Sequence, residues 1–471
     1  MSQGQEIAVP DLCGCLVGVS LCVTLALALA GCGGSDHHGA DQGSAPASSP
    51  QPPGGSSTFT ISGTVLGLSS GTQLTLNDND SDPLNVSTNG EFTFATPVPL
   101  DGSYAVTIGA QPAGQTCTVS NGSGTRVTAN VASVAINCVM GPEFAYVVNT
   151  LGDTVSQYAI GANGVLTPLG APTVPTGYQP VSIAVDPSGR FAYVTNEIDG
   201  TVSQYTIGAD GSLTATSSTA VAVGDTPIFV AANPSGRFIY VANANLTLNG
   251  ILQFAIGTDG TLTAVGSPTL MGVRVANSIT IDRSGRFAYV PCRDNSILQY
   301  TIGTDGVLTA MSSPSVPTGR LPESVALDPS GRFAYVPDRF DNTVSQYTIG
   351  ADGALTAMSV PTVQAGIGPQ SVAVDPSGRF AYVANITDGT VSQYKIGVDG
   401  TLTAMSPATV STAGDPAFVA VDPSGRFAYA PTSPYGTISQ YTIGVDGALT
   451  AMSGPTVQAG PTPVSVAIFR R

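Results

Sequence analysis

An aromatic-aliphatic segment recurs seven times along this chain, beginning at Phe144, Phe191, Phe238, Phe287, Phe333, Phe380 and Phe427, with spacings of 47, 47, 49, 46, 47 and 47 residues. A β-rich unit of this length holds four short strands, and its small sheet cannot bury both faces until a neighbour stacks on each. The repetition therefore predicts a closed ring of seven blades. Composition favours strands over helices: of 471 residues, 56 are Gly and 35 are Pro, while charged residues make up only 10%. Coiled coils and helical bundles need the opposite balance. The expected fold class is all-β, a seven-bladed β-propeller over residues 141–471 preceded by a small β-sandwich.

Within one unit, Ser371-Val372-Ala373-Val374 reads as the innermost strand. The turn Asp375-Pro376-Ser377-Gly378-Arg379 follows, Pro presetting φ and Gly taking the residue after the bend. Residues 380–385 and 390–396 read as the second and third strands, and Gly397-Val398-Asp399-Gly400 turns the chain into a short outer strand at 402–404. The repeats open on a second strand at Phe144 and finish on an unpaired innermost strand at 464–468. That last strand is expected to complete the first blade and remove the ring's open edges.

Three segments precede the ring. Residues 12–30 are apolar and run into Leu29-Ala30-Gly31-Cys32, which resembles a bacterial lipoprotein signal with its lipobox. The resemblance implies a signal peptide over 1–31 and acylation of the Cys32 thiol, with Gly33 implying an outer-membrane location. The n-region departs from the pattern, carrying Glu6 and Asp11 but no Lys or Arg; an uncleaved transmembrane helix is the alternative. Residues 32–57, rich in Gly, Ser, Ala and Pro, read as a flexible tether, with His37-His38 a solvated pair inside it.

Residues 58–140 alternate apolar and polar positions between turn clusters, the pattern of an antiparallel sandwich. They resemble the immunoglobulin-like or carboxypeptidase-regulatory-like accessory modules of bacterial surface proteins. Cys117 and Cys138 bracket the last strands and are expected to pair in an oxidising, exported setting. Asp78, Asp80 and Asp82 alternate as in a calcium loop, but Pro83 stands where such a loop wants Gly and Asn89 where its closing Glu falls. A hairpin turn is the first reading there and a Ca²⁺ site the alternative.

At Tyr193-Val194-Thr195-Asn196 and Tyr382-Val383-Ala384-Asn385 the blades resemble the Tyr-Val-Thr-Asn class of bacterial repeats, within the lactonase-like seven-bladed propellers. That superfamily includes phosphogluconolactonases and carboxymuconate cyclases. The resemblance implies the architecture firmly and an activity only loosely, because one fold hosts many functions.

Charge and histidine content narrow the chemistry. A net charge of −16 disfavours nucleic acid as a partner. Both histidines lie in the tether, so no imidazole is placed for catalysis or metal ligation in the ring, and no cofactor is expected. Cys292 stands where other blades have Asn149, Asn196, Asn243 and Asn385, and without a histidine to activate it reads as a buried or idle thiol.

The two faces of the ring are written differently. The Pro-Ser-Gly-Arg turns and the Gly-x-Asp-Gly turns repeat almost unchanged on one face, a structural pattern in which Arg is expected to reach a neighbouring acid or carbonyl. On the opposite face the copies diverge. One position before or at each innermost strand reads Val181, Ile228, Asn277, Glu323, Gln370, Ala417 and Val464, polar in three adjacent blades only. Loops of that face add Arg274, Arg293, Arg320 and Arg339. This gathering suggests a site for a small anionic or carboxylated ligand, the alternative being drift in exposed loops.

Two functions fit. The first is a membrane-anchored binding or scaffold lipoprotein, monomeric, held through Cys32 and presenting the ring to a cell-surface protein, a glycan or an anionic ligand. The near-identity of the blades favours it. The alternative is a lactone hydrolase acting on a carboxylated or phosphorylated lactone. Glu323 would then be the general base, and Arg320, Arg293 or Arg339 would hold the substrate and stabilise the oxyanion.

Overall fold

Seven antiparallel sheets lie between Glu143 and Arg470, six built from consecutive strands and the first from both ends of the ring. The computed structural model describes residues 57–471 apart from 70, 71, 113, 217–219, 245–249 and 271–274. The signal segment, Cys32, His37, His38 and all but the last residue of the tether lie outside the described residues.

Each second strand is buried along its whole length, as in Phe380–Asn385 and Phe333–Asp338. Polar alternation is absent there because blades stack on both faces of the sheet, so neither face meets water. The first blade is a composite. Its order is Leu166–Pro175, Thr154–Ile160, Glu143–Asn149 and then Pro463–Arg470, the last two antiparallel with Ala145 opposite Ile468 and Val147 opposite Val466. Glu143 and Arg470 are opposite each other in that register and form a buried ion pair.

The outer strands are longer than the sequence pattern suggests. Leu402–Ser411 has ten residues rather than three, because a register shift opposite Ser392 and Tyr394 lets the ladder continue past an irregularity. In the second and third blades this strand is broken instead, into Leu213–Ala215 with Val221–Ala222 and Leu262–Ala264 with Thr269–Leu270. Innermost strands also vary, from eight residues in Pro463–Arg470 to two in Thr280–Ile281 and Ala326–Leu327.

Two side chains per repeat fasten each blade to the next. The Tyr two residues into the second strand donates its hydroxyl to the carbonyl of the last Gly in the neighbour's Gly-x-Asp-Gly turn (Gly-x-Asn-Gly at Gly164), at 2.6–2.9 Å in all seven blades, from Tyr146 to Gly211 through Tyr429 to Gly164. The Gln of the third strand accepts a backbone N–H from the neighbour's outer-strand Leu at 2.6–3.0 Å, as Gln346 does from Leu402. Burial pushes the Tyr289 hydroxyl far above its ordinary range, so it donates at any ordinary pH.

The repeated Arg turns hold themselves together. Asp375 Oδ1 accepts the N–H groups of Arg379 and Phe380, and its Oδ2 accepts from Ser377. The Arg does not reach an acid. Arg379 Nε donates to Ser377 Oγ and its guanidinium lies 4.9 Å over the Phe380 ring. The same stacking at 4.7–5.0 Å recurs at Arg190, Arg237, Arg286, Arg332 and Arg426, and only Arg426 is also seen donating to a neighbouring carbonyl, that of Ala162. Local stacking takes the place of the expected reach to a neighbouring acid, because the turn's own Asp, an Asn at 233, is already occupied by the turn.

Before the ring, Gly90–Thr93, Ile61–Leu66, Val131–Met140 and Gln115–Ser120 make one four-stranded sheet, and Asp82–Val86, Leu74–Asp78, Ser103–Ala110 and Ser123–Thr125 make another. They share an apolar core that includes Ile61, Val65, Leu74, Leu76, Val134 and Ile136. Ile61–Leu66 and Val131–Met140 run parallel, so this body is not purely antiparallel. A disulfide joins Cys117 and Cys138, which are opposite each other on neighbouring strands. The calcium alternative finds no cluster. Asp78 Oδ1 accepts the Ala105 N–H and Asp82 Oδ2 the Thr96 N–H, which ties one carboxylate to a strand and the other to a bend, around a tight turn with positive φ at Asn79 and Asp80. Among the described residues no group of three His, Cys, Asp or Glu side chains is placed to hold a metal.

Candidate functional site

The innermost strands bring the seven divergent positions together at one end of the central channel. Val181, Ile228, Asn277, Glu323, Gln370, Ala417 and Val464 line a single cavity of about 340 Å³, joined by Thr150, Phe229, Ser324, Ser371, Ile386, Phe418 and Ser465. This size lies in the range of small-molecule sites. The lining is two-sided. The fourth to sixth blades supply Asn277, Glu323 and Gln370, with Ile386 beside them, and the seventh, first, second and third supply mainly aliphatic and aromatic side chains, with Thr150 and Ser465 of the first among them.

The polar side rests on a backbone arrangement shared by two blades. Asn277 N–H donates to Pro291 and Arg293 N–H to Val275, while Glu323 N–H donates to Pro337 and Arg339 N–H to Leu321. Each pair thus faces across the mouth end of its first two strands. The side chains then join: Arg293 Nε donates to Asn277 Oδ1 at 3.0 Å, and Arg339 Nη1 lies 3.1 Å from Glu323 Oε1. The Glu323 side chain is 15% exposed and that of Arg339 35%. Burial pushes the Glu323 carboxyl above its ordinary value, and Arg339 and Arg293 pull it partway back. Beside it, Ser324 Oγ donates to the Gln370 carbonyl, while Gln370 Oε1 is buried with no protein partner. Gln370 therefore offers an unused acceptor at the cavity wall.

Two sequence candidates stand apart from this centre. Arg320 belongs to a loop clamp: its N–H and Nε donate to Asp341 at 2.7 and 2.8 Å, and its Nη2 to the Phe340 carbonyl at 3.1 Å. It is committed to Asp341 and does not line the cavity. Arg274 lies outside the described residues. Cys292 is buried in the apolar cluster between the third and fourth blades, away from the lining.

Sequence reasoning passed over Phe229, Phe418 and Ile386, which build the apolar walls. The first two follow directly on Ile228 and Ala417, at the position where the other five blades have Ser182, Ser278, Ser324, Ser371 and Ser465. It also passed over Asp338. This residue ends a second strand at the position of Asn149, Asn196 and Asn385, is fully buried, and accepts from Thr318 at 2.9 Å and Ser345 at 2.6 Å. Burial pushes its carboxyl up to about 6 against the pull of those hydroxyls.

The model of the family described as Lactonase, 7-bladed beta-propeller, matches residues 107–318 and 202–453. The chain belongs to that family. Among solved structures, a putative 6-phosphogluconolactonase from Bacteroides fragilis is similar at 21% identity and a TM-score of 0.60, covering 70% of this chain and 98% of its own. The periplasmic gluconolactonase of Pseudomonas aeruginosa is similar at 20% identity and a TM-score of 0.60, covering 70% and 99%. A protein from Lactobacillus plantarum matches at 18% identity and 0.61, covering 70% and 100%. No curated protein matches the chain. At these identities the structures speak for the fold alone.

Proposed function

We propose that the protein hydrolyses a lactone in the mouth cavity, with Glu323 as general base. The observation that carries this reading is the partly buried Glu323 carboxylate held against Arg339 in a cavity whose other side is mainly apolar. Glu323 takes a proton from water as its oxygen bonds to the lactone carbonyl carbon. The Arg339 guanidinium, with Arg293 near it, balances the negative charge that develops on the carbonyl oxygen. Collapse of the tetrahedral anion breaks the ring C–O bond, and the proton on Glu323 passes to the departing alkoxide, leaving an open hydroxy acid. A carboxylate raised above its ordinary value is a stronger base than a solvated one, and partial burial limits competing solvation of the anion. Family membership supports hydrolysis over the scaffold reading, and Arg320 has no part in it.

The test is proton release from a panel of γ- and δ-lactones. Glu323→Gln is expected to lower kcat by about 100- to 10,000-fold with the fold intact. Turnover unchanged in Glu323→Gln would overturn the assignment; saturable binding without turnover in the native protein would return the cavity to a binding role. We also propose that Cys32 anchors the protein at a membrane, in which case Cys32→Ala releases it to the soluble fraction.

A further inference from the structure

The cavity's composition bears on what the lactone carries, an inference that rests on the hydrolytic reading above. Val181, Ile228, Phe229, Ala417, Phe418 and Val464 come from four consecutive blades of the ring, the seventh through to the third, and form a mainly apolar wall across from Glu323, with Thr150 and Ser465 of the first blade set in it. The loops above that wall continue it outward. Leu151, Tyr178, Ile198 and Tyr435 are 66%, 52%, 59% and 69% exposed in the loops and crossings of the first, second and seventh blades, and Phe340 and Ile367 extend this apolar rim over the fifth and sixth. Large apolar side chains left in water beside a cavity mark a surface that a ligand covers.

The described cations of this face lie on the polar side, and two of the three are ion-paired. Arg339 faces Glu323, Arg293 donates to Asn277, and Arg320 is clamped to Asp341. A phosphate or carboxylate laid along Phe229 or Phe418 would give up its hydration against apolar rings and lie on the side of the cavity away from Arg293 and Arg339. An alkyl or aryl group meets neither cost. We infer that the substrate is a lactone bearing an uncharged apolar substituent, its ring presented to Glu323 and its substituent laid along the Phe229 and Phe418 wall towards the exposed rim.

A homologous series tests this with the full chain: γ-lactones whose side chain lengthens from methyl to hexyl, together with a phosphorylated and a carboxylated sugar lactone. The expected result is a rise in kcat/KM of about fourfold per added methylene until the wall is covered. The charged lactones should be the poorest substrates. Phe229→Asp and Phe418→Asp should flatten the series, and Phe418→Leu should retain most of it. A flat series in the native protein, or a preference for the charged lactones, overturns the inference while leaving hydrolysis standing. If no lactone turns over, affinity for the same series is read by calorimetry. Affinity that rises with chain length then upholds the apolar ligand class and overturns hydrolysis, and affinity indifferent to chain length overturns both.

Discussion

Replacing Asp338 by Asn should make the ring more stable at neutral pH, by an amount set by one buried carboxyl. Asp338 has no solvent exposure, and its nearest partners are the hydroxyls of Thr318, Thr343 and Ser345. Burial pushes its pKa up to about 6 in the fold against an ordinary 3.8, so the folded state binds the proton more tightly than the unfolded one. The sign follows from linkage: the carboxyl favours folding below about pH 4, and that contribution is lost as pH rises through about 6. A difference of roughly two pKa units corresponds to a penalty of about 3 kcal/mol above pH 6, taken as an upper limit. Asn carries no charge to desolvate, and three other blades show that it fits. Asn149, Asn196 and Asn385 donate from Nδ2 to the equivalent Thr and Ser hydroxyls at 2.9–3.1 Å. Urea unfolding of native protein and D338N at pH 4.5 and 7.5 separates the contributions. The variant should gain little at the lower pH and up to about 3 kcal/mol at the higher. A gain equal at both values, or a loss at pH 7.5, would refute the reasoning, because only ionisation of Asp338 distinguishes the two conditions.

Further outcomes follow from the same structure. Lactone turnover should fall as pH drops through a value above the ordinary carboxylate 4.5, since the base must be ionised; in Arg339→Met the midpoint should move higher still, because Arg339 holds it down. Gln346→Leu should cost about 2–4 kcal/mol in urea unfolding, as it leaves the Leu402 N–H and the Val360 carbonyl without the partners Gln346 supplies. Gly353→Ala, at φ +83° and with its Cβ driven into the Phe287 ring of the neighbouring blade, should lower stability by at least about 1 kcal/mol more than Gly331→Ala, at φ +71° with open space around it.

The blades were legible because the same segment is written seven times, and a strand that must be buried on both faces leaves an unbroken apolar run such as Phe380 to Asn385. The cavity positions were legible for the converse reason, since Asn277, Glu323 and Gln370 break a repeat that is apolar elsewhere. What could not be read was pairing. Nothing in the loops says that Arg320 belongs to Asp341 while Arg339 belongs to Glu323, because that depends on how each loop folds back. The length of the outer strand was missed because a register shift hides its continuation from any simple alternation. Asp338 left a signal that went unused: it replaces an Asn of the repeat, as Cys292 does one blade earlier.

The composite first blade imposes an order on assembly in time. Glu143–Asn149 leaves the biosynthetic machinery early, yet its partner Pro463–Arg470 comes only after all the other blades have been made. Until then one edge of the first blade stays unpaired, open to wrong partners. Six blades can stack as each appears, because their contacts are with near neighbours in sequence. Joining the first to the seventh is left as the final event, and Tyr429 can donate to Gly164 only once the ring has come round.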